Sequence, residues 1–272
     1  MSHLKRVALV SLALASGLTL TACGDLSETN PRLQTIGAAQ EESEPSTPPS
    51  EEPTAPAATQ DPAGPPPCPP GDYQLEIEQA LAKIGNYGPI TVDGVQSAQD
   101  CATIAAFQKR MAIGMWQGQR TSDEPPDGTP GARTREVAER IAATDTTQCP
   151  HSDAPQACVD LTHQTFYVVS EGTVLLGPTV TRTGMAGFAT PSGTFKVNWR
   201  SPRAWSLPYS VWLPYWQAFY RGDGLHETTT YIYRYGIGSH GCVNLLHDDA
   251  KRAYELLDGS STVHLYGRRA GT

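Results

Sequence analysis

The 44 residues from Gly24 to Pro67 cannot build a core of their own, and they divide the rest of the chain. They hold ten prolines, eight acids, one base (Arg32) and no aromatic residue. Such a stretch buries too little apolar surface to offset the entropy of ordering it. Residues 23–67 are therefore expected to be a disordered Pro/Glu-rich linker, with a reach between ~40 and ~130 Å. The same acids supply most of the formal net charge of -8. The acidity thus says little about a substrate, and it argues against nucleic acid as a partner.

Ahead of the linker, Lys5 and Arg6 precede the apolar run Val7 to Leu20. A basic start and a short apolar run read as a secretory signal over residues 1–22. The run is too short to span a bilayer as a mature helix. It ends in "LTAC", which resembles the lipobox of bacterial lipoproteins. That resemblance implies cleavage before Cys23, lipidation of its sulfur and an exported protein anchored to a membrane. Several acyl chains are needed for such an anchor, since one holds only marginally.

Residues 68–146 carry three helical patterns. "YQLEIEQALAKIG" spaces Leu75, Ile77, Ala80, Leu81 and Ile84 for a helix that stops at Gly85. "CATIAAFQKRMAI" does the same with Ile104, Phe107, Met111 and Ile113, and "GARTREVAERIAA" with Val137 and Ile141. A helix, the turn Val92-Asp93-Gly94, then a helix with Phe107-Gln108 resembles the peptidoglycan-binding domain of cell-wall hydrolases and transpeptidases. Where that family often repeats the V-D-G turn, this chain has "DEPPDGTPGARTRE". A plain three-helix packing module is the alternative.

Residues 149–272 change character. "ACVDLTHQTFYVVSEGTVLLGPTVTRTG" alternates and is rich in β-branched residues, with a break at Glu171-Gly172 that reads as a hairpin. "GTFKVNW" and "TVHLYGR", which contains His264, read as further strands, and "DDAKRAYELLDG" as the one helix. The expected fold is multidomain: a small all-α three-helix domain followed by a mainly-β sandwich.

The chemistry concentrates in "SHGCVN", Ser239 to Asn244. Zinc is one reading, since His226, His240, Cys242 and His247 offer suitable donors. No C-x-x-C or H-x-x-x-H pairing supports it. A buried or disulfide-bonded Cys242 is a second reading. The third is a nucleophile: the thiolate is the reactive form, and a neighbouring imidazole can take its proton. Cysteine number bears on the choice. Apart from Cys23 there are five cysteines, an odd number, so in an oxidising compartment one thiol is left over. If that is Cys242, then Cys68, Cys101, Cys149 and Cys158 pair. Sequence order favours Cys68–Cys101 and Cys149–Cys158, although four cysteines allow three pairings. Closing those loops contributes roughly 4 and roughly 3 kcal/mol on the chain-entropy account.

The segment "LHETTTYIYRYGIGSHGCVNLLHDDA" resembles the L,D-transpeptidases, whose YkuD-type domain has an upstream His and then Ser/Thr-His-Gly-Cys-apolar-Asn/Arg. "CVDLTHQTFYVV" and "TGMAGFATPSGTFKVNW" match further family segments in the right order. The resemblance covers about 120 residues. It implies that Cys242 is the nucleophile and His226 the general base, oriented by the backbone carbonyl of Glu227. His240 would organise hydrogen bonds, and Gly241 and Cys242 would offer oxyanion-hole N–H groups. Ser239 would fix the loop, and Asn244 would shape the pocket floor. The twelve residues between His226 and Ser239 are fewer than in most relatives.

The same resemblance makes "LPYSVWLPYW" a lid or wall beside the cysteine, with Tyr209 and Trp212 as substrate contacts. Tyr231, Tyr233 and Tyr235 alternate like one face of a strand and read as packing first. The basic tail "GRRAGT" reads as disordered. The activity implied is a cysteine L,D-transpeptidase that joins peptidoglycan stem peptides, donor and acceptor, by 3→3 cross-links through a thioester. No cofactor or metal is called for, and β-lactams of the carbapenem type would acylate Cys242. An L,D-carboxypeptidase that trims tetrapeptides, and a catalytically silent wall-binding lipoprotein, are the alternatives.

Overall fold

The structure, a computed structural model, describes residues 68–272. The signal segment, Cys23 and the Pro-rich stretch lie outside the described residues. Helix α1 (Gln74–Ile84) turns Ile77, Ala80 and Leu81 inward and is closed by Gly85. Leu75, expected on the same face, is 42% exposed. It stands two residues from Ile77, and residues two apart on a helix do not share a face. Helix α2 (Ala98–Arg110) begins in a reciprocal capping box between Ser97 and Asp100.

The V-D-G turn is held from within. The buried carboxylate of Glu78 accepts the N–H groups of Asp93 (3.0 Å) and Gly94 (2.7 Å). Gln108 accepts from the N–H of Gly128 (2.8 Å) and donates to the carbonyl of Thr129 (2.8 Å). That fixes the approach to α3 (Ala132–Ala143). Between α2 and α3 lies a small hairpin of β1 (Met115–Trp116) and β2 (Gln119–Arg120). A disulfide joins Cys68 to Cys101, and another joins Cys149 to Cys158.

After a 3₁₀ turn (Thr146–Gln148), the chain enters two sheets. The first has five strands in the order β5-β4-β3-β11-β6. These are β3 (Gln156–Asp160), β4 (Thr165–Ser170), β5 (Thr173–Val180), β6 (Gly193–Lys196) and β11 (Thr262–Tyr266). Glu171 (φ 50°) and Gly172 (φ 77°) make the two-residue turn between β4 and β5. The second sheet has four strands, β10-β9-β8-β7. They are β7 (Trp199–Ser206), β8 (Val211–Tyr220), β9 (Asp223–Glu227) and β10 (Val243–Leu245). The sheets face each other across an aliphatic core that also takes in Ala250, Ala253 and Leu257, which lie on and just after α4 (His247–Leu256). Val159, Phe166, Val168 and Val263 enter it from one sheet, and Phe219, Leu225, Val243 and Leu245 from the other.

A second core joins the helices to the sheets. Ile77, Ile104, Phe107, Met111, Val137 and Ile141 pack with Val180, Tyr231, Ile232, Tyr233 and Leu246. Burying each of the larger side chains contributes about 1.5–3 kcal/mol. The segment Tyr231–Tyr235 is a series of turns rather than a strand. Its tyrosines reach into the helical region instead of lining a sheet. The Tyr231 hydroxyl accepts from Gly114 N–H (2.9 Å) and donates to Asp123 (3.2 Å). Tyr233 donates to the Met111 carbonyl (2.6 Å), and Tyr235 accepts from Arg140. The tail is ordered as well, contrary to its reading as disordered. Arg269 donates to the carbonyls of Thr183, Gly184 (3.1 Å) and Tyr235 (3.1 Å), which gives the basic residue a fixed place.

Candidate active site

Strands β9 and β10 run parallel, with Val243 opposite Leu225 and Asn244 opposite His226. Leu225, Val243 and Leu245 go into the aliphatic core. Strand side chains alternate, so His226 and Asn244 face the other way, side by side. Cys242 precedes β10, on the same edge. It is the free cysteine among the described residues.

Two polar threads shape the turn that carries the thiol. Ser239 Oγ accepts from Gly241 N–H (3.2 Å) and donates to the Cys242 carbonyl (2.5 Å). Thr190 Oγ1 donates to the Gly241 carbonyl (2.8 Å) and accepts from Gly184 N–H (2.8 Å). Main-chain bonds also join Ser239 N–H to Thr183 O (3.1 Å) and Met185 N–H to Ser239 O (2.9 Å). The "TGMAGFATP" segment thus lies directly against "SHGCVN". Gly184 admits no side chain, because a Cβ there would come within 1.9 Å of the Phe188 carbonyl oxygen. Gly241 has φ +116° and lies beneath Asp223, whose Oδ1 would be 2.2 Å from a Cβ.

The imidazole of His226 is 4% exposed. Its Nδ1 lies 2.6 Å from the carbonyl oxygen of Glu227. A carbonyl only accepts, so Nδ1 carries the hydrogen and Nε2 keeps its lone pair. Nε2 faces Asn244 Nδ2 at 3.5 Å, and the ring leans on Trp216 at 5.8 Å. Burial pushes the His226 pKa down to about 4. The bond to Glu227 opposes that shift and the charge of Arg182 adds to it. Burial pushes the Cys242 thiol up to about 11. A bond from Gly224 N–H lowers it and the Asp223 carboxylate raises it further. At neutral pH the resting pair is therefore a thiol and a neutral imidazole, rather than an ion pair.

The other expected residues are distributed around this centre. The ring of His240 is exposed and packs between Phe188 (4.4 Å) and Tyr209 (4.7 Å). Its contacts are aromatic, and its ring makes no hydrogen bond among the described residues. The N–H of Gly241 is already engaged by Ser239, so serving an oxyanion would require that bond to break. Trp212 pairs with Trp205 (5.1 Å) under Arg203, beside a cleft of about 320 Å³ that Glu227, Thr228 and Gln117 also line. The Glu227 carboxylate is turned to His247 (3.0 Å). No group of three or more His, Cys, Asp or Glu side chains that could hold a metal occurs among the described residues. Arg182, Thr190, Trp216 and Asp223 were not legible as site residues. Of these, Thr190 had a signal in its place in the T-P-x-G-x-F segment, and Trp216 in closing the "LPYSVWLPYW" segment.

A free thiol just ahead of β10 and an imidazole on the neighbouring parallel strand β9, within a two-sheet β domain, define a candidate acyl-transfer site. Residues 154–265 match the model of the YkuD family, described as an L,D-transpeptidase catalytic domain. A crystal structure of an L,D-transpeptidase from Stackebrandtia nassauensis is 49% identical. It covers 74% of this chain and 94% of its own, with a TM-score of 0.68. The chain belongs to the L,D-transpeptidase family. An L,D-transpeptidase from Mycobacterium smegmatis is 22% identical over 42% of this chain and 58% of its own, with a TM-score of 0.37. The L,D-transpeptidase LdtMt1 in complex with imipenem is 20% identical over 42% of this chain and 60% of its own, also with a TM-score of 0.37. Of these three, the Stackebrandtia structure alone superposes closely. A comparison with curated proteins finds no match.

Proposed function

We propose that the protein forms 3→3 cross-links between peptidoglycan stem peptides through a thioester on Cys242. The observation that carries this reading is the His226 tautomer: Nδ1–H is given to Glu227, so Nε2 holds the lone pair that takes the proton, and the long 3.5 Å contact from Asn244 Nδ2 gives way as it does so. The thiol sulfur attacks the carbonyl carbon of the third stem residue as its proton passes to Nε2. The C–N bond to D-alanine then breaks, its nitrogen takes that proton, and a thioester remains. An amine of a second stem attacks the thioester and gives a proton to Nε2. The C–S bond breaks and the sulfur is reprotonated. Two moderate barriers replace one high one. Because thiol and imidazole start neutral, proton transfer accompanies attack rather than preceding it.

On this reading Cys23 anchors the protein to a membrane through its lipid, and the helical region faces the cell wall. Tyr209 and Trp212 flank the donor. Carbapenems would acylate Cys242 by opening their lactam on the same sulfur. Purified protein incubated with a disaccharide tetrapeptide, with the products weighed by mass spectrometry, tests the reading. Cross-linked dimer is the expected product. Tripeptide monomer alone would make the protein an L,D-carboxypeptidase, and no product would make it a silent wall-binding protein.

A further inference from the structure

Arg182 is 2% exposed and faces no carboxylate within ion-pair distance among the described residues. A buried charge without a counter-charge is costly to keep. This one is held by neutral acceptors alone. Nη1 donates to the Tyr231 carbonyl (2.9 Å), and Nη2 to Thr230 Oγ1 (2.8 Å), Thr228 Oγ1 (3.2 Å) and Asn244 Oδ1 (3.4 Å). Its Nε has no partner among the described residues. The backbones of Arg182 and Asn244 are already joined by two bonds, at 3.2 and 3.0 Å. The guanidinium is therefore not needed to bring the strands together.

We propose that Arg182 is a positioning residue, which fixes the Asn244 amide so that its NH₂ group meets Nε2 of His226 and ties down the segment that follows the histidine. This inference rests on His226 being the base. Its logic is that of donor and acceptor. A guanidinium only donates, so whatever faces it must present an acceptor. Asn244 must turn Oδ1 to Arg182, which leaves Nδ2 for His226. An amide NH₂ only donates, so Nε2 must be the acceptor. The Glu227 carbonyl dictates the same tautomer from the opposite side of the ring. Thr228, Thr230 and Tyr231, all gripped by Arg182, begin two residues beyond His226 and hold the main chain that carries that carbonyl.

The positive charge has a second effect. It disfavours a proton resting on Nε2, as burial also does. The groups around His226 are Arg182, the Asn244 amide, the Glu227 carbonyl and the ring of Trp216. The Glu227 carboxylate is directed to His247. A proton taken from the thiol is therefore held briefly and passed on to the leaving nitrogen.

Arg182→Met and Arg182→Lys separate charge from fork geometry. The readouts are single-turnover thioester formation with the disaccharide tetrapeptide across pH, and titration of ¹⁵N-labelled histidine. Arg182→Met should slow acylation about tenfold or more. It should also move the acid limb and the His226 titration upward, because the charge that disfavours the proton is gone. Arg182→Lys keeps the charge, so it should slow acylation with the acid limb in place. KM for the tetrapeptide should change little in both. If Arg182→Met fails to fold, the Arg182→Lys rate and its ¹⁵N spectrum decide. Folded variants with wild-type rate and wild-type titration would overturn the inference. A separate control locates any failure. If His226→Gln acylates like wild type, the catalytic reading fails, whereas the His226 titration in the Arg182 variants still reports on Arg182.

Discussion

Arg110 and Arg182 are both drawn into the protein, and their surroundings are opposites. Arg110 meets Asp249 with two bonds, at 2.5 and 3.2 Å, and Asp249 takes a third from Thr179 (2.7 Å). This lies where helix α2 meets α4 and β5, close to the tyrosines that hook into the helical region. There, donors and acceptors are matched. Around Cys242 they are not. Arg182 has no acid, the Asp223 carboxyl has no hydrogen-bond donor among the described residues, and thiol and imidazole are each displaced from their ordinary pKa. Matched polar groups fix one arrangement of the chain. Unmatched ones leave interaction free energy for a reacting group to claim.

That contrast can be broken from either side. Cys242→Ala should lower product formation to the uncatalysed level while leaving the melting temperature nearly unchanged. A mutant that turns over like wild type would sink the nucleophile assignment. At the matched side, Arg110→Ala should cost about 2–3 kcal/mol with the site chemistry intact. That falls at or below the bottom of the ~3–5 kcal/mol for a fully buried pair, because the Arg110 side chain is 35% exposed, against 1% for Asp249. Urea unfolding measures it, and a loss under about half a kcal/mol would show the pair to be idle.

The pH dependence of stability comes next. His226 titrates at about 4 in the folded chain, against about 6.5 in an unfolded one. The unfolded chain takes up the proton first as pH falls. Stability from this group is complete above pH ~6.5 and is lost down to about 4, on the order of 2–3 kcal/mol. Asp223 has the opposite sign. Burial raises it from 3.8 to about 6, so its contribution is complete at low pH and is lost as pH rises through that window. Asp223→Asn should therefore steepen the acid loss between pH 4 and 6, and His226→Gln should reverse it. Thermal melts across that range show either outcome.

Smaller effects follow. Tyr233→Phe leaves the Met111 carbonyl without its hydroxyl partner and should cost about 1–2 kcal/mol, read by the same unfolding assay. Asp223→Asn should lower the Cys242 thiol below its value of about 11 and raise the alkylation rate near pH 9 several-fold. An unchanged alkylation profile would separate the carboxylate from the thiol.

What the sequence disclosed follows from the range of the interactions. The three helices were legible because their cores repeat every three to four residues. "SHGCVN" was legible because its chemistry is contiguous. The hairpin of β7 and β8 was not read as strands, since Pro202 and Pro214 interrupt it and most of its tryptophans are exposed rather than alternating into a core. Tyr231, Tyr233 and Tyr235 did alternate, and misled: their spacing serves three separate anchors in the helical region. Arg182 and Asp223 carried no signal. The acceptors of Arg182 lie 46 to 62 residues away, and Asp223 matters because the chain folds it over Gly241.

The core shared by helices and sheets also sets an order of assembly. Its first member is Ile77 and its last is Leu246. As a chain is made from its N-terminus, α1, α2 and α3 emerge with an apolar face whose cover, Val180, Tyr231, Ile232, Tyr233 and Leu246, does not yet exist. Contacts so distant along the chain close slowly. Until they close, Phe107, Ile104 and Met111 present a sticky surface of the kind that chaperones shield. The stretch from Tyr231 to Leu246 brings both most of the cover for this face and Cys242, so the nascent chain completes its helical core and gains its thiol at almost the same moment.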